Sequence, residues 1–101
     1  MAKKEITIVW SKDASSHFTE ILEHLSKESD QATAIVGNEI LDCIESLPSF
    51  PSKHPEDRFK NNNDGKFRAF IVFSYRISYH AGENEIQILR VRHTSREPLE
   101  Y

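Results

Sequence analysis

Hydrophobic and polar positions along the chain shift from a strand-like period to a helical one and back. Ile6, Ile8 and Trp10 alternate with Thr7 and Val9, the two-residue period of a short strand, so Ile6 to Trp10 predicts β1, with Trp10 anchoring the core. Ala14, Phe18, Ile21, Leu22 and Leu25 then recur at spacings of three and four, the apolar stripe of a helix α1 that ends near Ser26 to Ser29. Ser11 or Asp13 can cap it, because either side-chain oxygen accepts from the free N–H groups of a first helical turn. Asp30 is a second cap. Ala32, Ile35, Val36, Ile40, Cys43, Ile44 and Leu47 form the broader stripe of α2, which Pro48 terminates from just beyond its end. The short Lys27 to Ser29 connection makes the pair an antiparallel hairpin of helices.

Residues 48–66 hold three of the four prolines and the run Asn61-Asn62-Asn63-Asp64-Gly65, so they predict a long loop with little regular structure. From Phe67 the period is two again. The run Phe67 to His80 is too long for one strand, and Ser74 is its only turn-favouring residue, which places a tight turn at Phe73-Ser74 between β2 and β3, Tyr75 to His80. Ala81-Gly82-Glu83-Asn84 is a clearer turn, followed by β4, Glu85 to Arg92. Alternation puts Tyr75, Ile77 and Tyr79 on one face of β3 and Arg76, Ser78 and His80 on the other. In β4 it puts Gln87, Leu89, Val91 and His93 opposite Ile86, Ile88, Arg90 and Arg92, and Pro98 ends any further ladder. The order β-α-α-β-β-β predicts an α+β domain spanning 1–101: an N-terminal strand and an antiparallel helical hairpin packed on an antiparallel β-sheet, whose second face is open to water or a partner.

Composition narrows the function classes. The chain is 38% hydrophobic and 29% charged, as ordinary globular domains are, and no apolar run approaches the ~18 residues of a membrane span. MAKKEITIVW passes from a basic start into strand-like residues without a small-residue cleavage site, so a cytoplasmic protein is expected. Cys43 is the single cysteine; it excludes an internal disulfide or a cysteine-based zinc site and lies on the α2 stripe as a small hydrophobe. The histidines are scattered, so neither a metal site nor a cofactor is expected.

Charge is unevenly spread. Net charge is −3, but residues 1–49 carry four basic and nine acidic side chains, whereas Lys66 to Arg96 carries six basic and two acidic. That asymmetry points to a basic face on an acidic body, with Lys66, Arg68, His80, Arg90 and Arg92 as candidate contacts for a nucleic acid or an acidic partner. Bland readings stand beside these. Arg76 can pair with Glu83 or Glu85 across the hairpin, His93 can be a half-buried structural histidine, and Arg90 and Arg92 can be edge charges that discourage aggregation.

The segments Phe67-Arg68, Tyr75-Arg76-Ile77-Ser78-Tyr79 and Ile88-Leu89-Arg90-Val91-Arg92-His93-Thr94-Ser95-Arg96-Glu97 resemble those of the RelE/ParE superfamily of toxins from bacterial toxin–antitoxin pairs. The element order, the tryptophan closing β1 and the histidine followed three residues later by arginine agree with it. The resemblance implies a small toxin of the plasmid-stabilisation kind, neutralised by an antitoxin and acting on DNA gyrase without catalysis or on ribosome-bound mRNA. RNA cleavage needs a base for the ribose 2′-OH, an acid for the leaving oxygen and cations for the phosphate. By resemblance Arg76 matches the β3 arginine of the nuclease branch and His93 a histidine near the end of β4. Arg96 or Tyr101 would serve as phosphate clamp or terminal acid, and Glu56 would stand for the acid used by another branch. The β2 lysines of one nuclease branch are missing near Phe67 and Ala69, and His93-Thr94-Ser95-Arg96-Glu97 looks more like the gyrase-targeting and unassigned branches. A non-toxic binding module of the same fold is the remaining alternative.

Overall fold

The computed structural model describes residues 5–96 and 100–101, so Glu97 and Pro98, invoked above, lie outside the described residues. The elements follow the expected order: β1 Thr7–Trp10, α1 Lys12–Ser26, α2 Asp30–Ser46, a short 3-10 turn Leu47–Ser49, β2 Phe67–Val72, β3 Tyr75–Ala81 and β4 Glu85–His93. Of the two candidate caps of α1, Ser11 is the one used: its Oγ accepts from Ala14 N–H at 3.0 Å. The cap of α2 is Ser29 rather than Asp30, accepting from Ala32 N–H at 3.1 Å. Asp30 instead occupies the first turn, where its charge favours the positive end of the helix dipole.

The strands form one four-stranded sheet in the order β1-β4-β3-β2. β2, β3 and β4 are antiparallel neighbours as expected, but β1 joins β4 in parallel, Thr7 opposite Glu85 and Trp10 opposite Ile88, so the sheet is mixed. The β2–β3 turn falls at Phe73-Ser74, and Phe73 takes φ 55° with its ring exposed. A non-glycine residue there costs about 1 kcal/mol, and the Thr94 N–H to Ser74 carbonyl bond at 2.8 Å holds the turn from the far end of β4.

A β-bulge corrects the expected faces of β4. Ser78 lies opposite Arg90, but Tyr79 lies opposite Ile88, which leaves Leu89 as an extra residue. Because a slip of one residue turns every later side chain over, Val91 rejoins Ile86 and Ile88 in the core instead of standing opposite them. The bulge is fastened by α1. Ser11 N–H donates to the Ile88 carbonyl at 2.8 Å, Ser11 Oγ donates to the Leu89 carbonyl at 2.8 Å, and Val91 N–H donates to His17 Nδ1 at 3.3 Å. Beyond the end of β1, helix α1 thus takes over as the neighbour of β4.

The core joins Ala14 of α1 and Ile40 and Ile44 of α2 to Phe70, Ile77, Tyr79, Ile86, Ile88 and Val91 of the sheet. Trp10 does not anchor it; partly buried, it packs at the margin, 5.3 Å from Phe18. Gly37 is buried where α2 meets α1, and a Cβ there would stand 3.1 Å from Leu22 Cδ2, so the helices approach too closely for a larger residue without a shift.

Residues 50–66 are better tied than a loop of that composition suggests. Glu56 bridges Arg68, Asp57 N–H donates to the Phe67 carbonyl at 2.8 Å and Ala69 N–H to the Pro55 carbonyl at 3.2 Å, so the segment lies along the outer edge of β2. The sheet face expected to be open is partly covered from here, because Asp57 reaches Arg76 on that face and Tyr101 bonds to Asp57 in turn.

Candidate functional site

Two clusters take up the side chains singled out by the sequence. The first lies on the sheet face turned away from the helices. There Arg76 Nη2 donates to Asp57 Oδ1 at 2.8 Å, with the Asp57 side chain fully buried and that of Arg76 12% exposed. Tyr101 Oη donates to the other Asp57 oxygen at 2.7 Å. Burial pushes the Asp57 carboxyl up, but the hydrogen bonds from Arg76, Tyr101, the Phe59 N–H and Ser78 outweigh it and hold the carboxyl below its ordinary range. Burial and the bond to Asp57 push the Tyr101 hydroxyl far above its ordinary value, so it remains a donor. The Arg76 guanidinium also covers the Phe59 ring, and Arg90 the Tyr101 ring at 4.3 Å. Arg76 therefore has neither Glu83 nor Glu85 as its partner; its counter-ion is Asp57.

The second cluster is a groove of about 620 Å³ between α1 and the C-terminal half of β4, lined by His17, Glu20 and His24 from the helix and Arg92, His93 and Arg96 from the strand and beyond. His93 stands edge-on to Tyr75 at 5.5 Å. Its Nδ1 accepts from Ser95 N–H at 3.1 Å. A backbone N–H only donates, so the neutral ring carries its proton on Nε2. His17 is held the same way by Val91 N–H, and burial, aided by Arg92, lowers its pKa.

Among the residues proposed for chemistry, the fold brings His93 and Arg96 together in the groove and sets Arg76 and Tyr101 apart from them on the Asp57 cluster. Glu56 is exposed at the β2 edge and joins neither. The proposed binding residues also divide. Lys66 is exposed at the start of β2, Arg68 Nη1 donates to the His54 carbonyl at 2.6 Å, His80 packs on Phe67 at 4.6 Å, Arg90 belongs to the first cluster and Arg92 lines the groove. Asp57 and His17 were missed. Asp57 is one residue from Glu56 with the same chemistry, and His17 sits on the polar side of an ordinary helical stripe, so neither carries a distinguishing signal in one sequence. Among the described residues no group of three or more His, Cys, Asp or Glu side chains could hold a metal ion, and no helix is long and apolar enough to cross a membrane.

Comparison with known proteins adds what geometry alone does not. Residues 8–98 match the family model described as the ParE toxin of the type II toxin–antitoxin system, parDE. Among solved structures, the chromosomal ParDE toxin–antitoxin system of P. aeruginosa superposes with a TM-score of 0.72 at 14% identity, covering 92% of this chain and 100% of that one. TrmO from Pseudomonas aeruginosa gives 0.50 at 18% identity over 91% of this chain but only 37% of its own. Among proteins of curated function, none matches at the sequence level. The first superposition reproduces the strand, helical hairpin and three-stranded meander, and the family model spans nearly the whole of them: the chain belongs to the ParE toxin family of type II toxin–antitoxin systems.

Proposed function

We propose that this toxin arrests growth by binding DNA gyrase in the cytoplasm, without catalysis of its own, and that an antitoxin holds it inactive until released. The observation that carries the reading is the condition of the two residues that RNA cleavage would require. Arg76 is neutralised by a buried carboxylate at 2.8 Å, which leaves little charge for a scissile phosphate. His93 has its free electron pair directed at Ser95 N–H, so accepting a proton from a ribose hydroxyl would break that bond. Arg76 is not arranged as a phosphate clamp, nor His93 as a working base, whereas a toxin that acts by contact needs neither. The missing β2 lysines favour the same reading.

The test is expression in bacterial cells without an antitoxin, with transcript ends and gyrase-linked DNA breaks mapped together. Growth arrest with accumulating breaks and intact transcripts is expected, and a His93→Ala protein that keeps the wild-type circular dichroism spectrum should arrest growth equally well. Transcripts cut by the wild type and left whole by His93→Ala would assign the activity to an endoribonuclease instead.

A further inference from the structure

Among the described residues, the groove between α1 and β4 gathers more cationic and N–H donor groups than carboxylates. Arg92 is half-buried, yet the Arg76–Asp57 contact is the ion pair present among the described residues, and no described carboxylate lies within 4.0 Å of Arg92 or Arg96. Arg92 lies beside Arg76 on the same sheet face in the β3–β4 register: one arginine has a buried carboxylate, and the other lines the groove at the edge of β4. Partial burial of a guanidinium without a counter-ion is unfavourable. Two of the three histidines that line the groove, His17 and His93, add to the donors. Val91 N–H occupies Nδ1 of His17 and Ser95 N–H occupies Nδ1 of His93, so each neutral ring offers a donor at Nε2 and no acceptor. Against these donors, Glu20 is the one carboxylate among the described residues that line the groove.

A carboxylate ligand has too few oxygens for two guanidinium forks and two imidazole N–H groups, whereas a tetrahedral dianion has enough, and arginine forks match its geometry. We propose that this groove binds a phosphate monoester, as free phosphate or as the terminal phosphate of a nucleotide, with Arg92 and Arg96 as its counter-charges and the Nε2–H groups of His17 and His93 as further donors. A long polyanion such as a nucleic-acid backbone is disfavoured, because Glu20 lines the site and helix α1 also carries the exposed Asp13 and Glu23. The site stands independently of the toxin's target, since it uses a cluster that the gyrase reading does not require.

The experiment is a titration of the full chain, followed by the amide resonances of Val91 and Ser95, with inorganic phosphate, a nucleoside 5′-monophosphate, acetate at matched ionic strength and an oligonucleotide without terminal phosphates. Phosphate and the nucleotide should both move these resonances to saturation; tighter binding of the nucleotide assigns it as the ligand, and equal binding assigns free phosphate. Arg92→Ala should weaken either by about tenfold or more, the scale of one lost charge-assisted hydrogen bond, and Arg92→Lys should recover part of that loss, with the melting temperature reported for each variant. The proposal is overturned if acetate reproduces the shifts, if the oligonucleotide binds more tightly than phosphate, if phosphate moves neither resonance, or if folded Arg92→Ala binds as the wild type does.

Discussion

The Asp57–Arg76 pair decides whether a basic sheet face is chemistry or architecture. Asp57 is fully buried as a side chain and receives Arg76 on one oxygen and Tyr101 on the other. Removing one member of such a pair leaves the other charged, buried and unmatched, which typically costs about 3–5 kcal/mol, while replacing both by apolar groups costs far less. Asp57→Ala should therefore lower the unfolding free energy by roughly that amount. The Asp57→Leu/Arg76→Met double substitution should fall short of the sum of its single substitutions. Denaturant unfolding of Asp57→Ala and of the four proteins of this cycle measures both. A near-additive result would mean that Arg76 is held elsewhere and its charge is available after all.

At the scale of elements, α1 works as both core helix and edge cover, and His17 is where the two roles meet. Its Nδ1 accepts Val91 N–H only while unprotonated. Burial first, then Arg92 and Arg90, lowers its pKa from 6.5, against the opposing pull of Asp13 and Glu20. A histidine whose folded pKa is lowered contributes its full stability above the unfolded value and loses it as pH falls through the folded one. Unfolding free energy should thus decline from about pH 7 to about pH 5, the range in which histidines titrate. His17→Ala should flatten that slope in part, because His54, also lowered by burial, adds a dependence of the same sign. An unchanged slope in His17→Ala would place the whole dependence elsewhere. This coupling also explains what was legible in the sequence. The two helices and the element order follow from local periodicity and agree with the structure, except that Ile35, placed on the α2 stripe, is 51% exposed. The face of β4 was not legible, because the bulge that turns Val91 inward is stabilised by Ser11, whose Oγ meets the Leu89 carbonyl 78 positions along the chain. The parallel placement of β1 is likewise non-local, and the cap of α2 was misplaced by one residue because Ser29 and Asp30 offer the same chemistry. Of the candidate site, His93 and Arg96 were legible as near neighbours in the chain, whereas the role of Asp57 depends on Arg76 and on Tyr101, 44 positions away.

Across the whole molecule, the two sheet faces are closed by different means. The helices bury one through hydrophobic contact, and a thin polar layer from residues 57–61 and Tyr101 covers part of the other. Tyr101 makes that layer cohere. Its N–H donates to the Phe59 carbonyl at 2.9 Å, its carbonyl accepts from Asn61 N–H at 2.7 Å, and its ring lies between Lys60 and Arg90. The backbone bonds depend on the chain being held there, and the side chain supplies the hold through the Asp57 hydrogen bond and the cation–π contacts. Tyr101→Phe keeps the ring and loses the hydroxyl, so it should cost about 1–3 kcal/mol, as for a hydrogen bond to a charged group. Tyr101→Ala loses both and should cost more, while also releasing the backbone pairing with the 57–61 segment. Hydrogen exchange separates the two. In Tyr101→Phe the Asn61 amide should remain protected, and in Tyr101→Ala it should exchange faster while the core amides of β3 keep their protection. Equal protection of Asn61 in both variants would show that the loop holds itself and that Tyr101 merely rests on it.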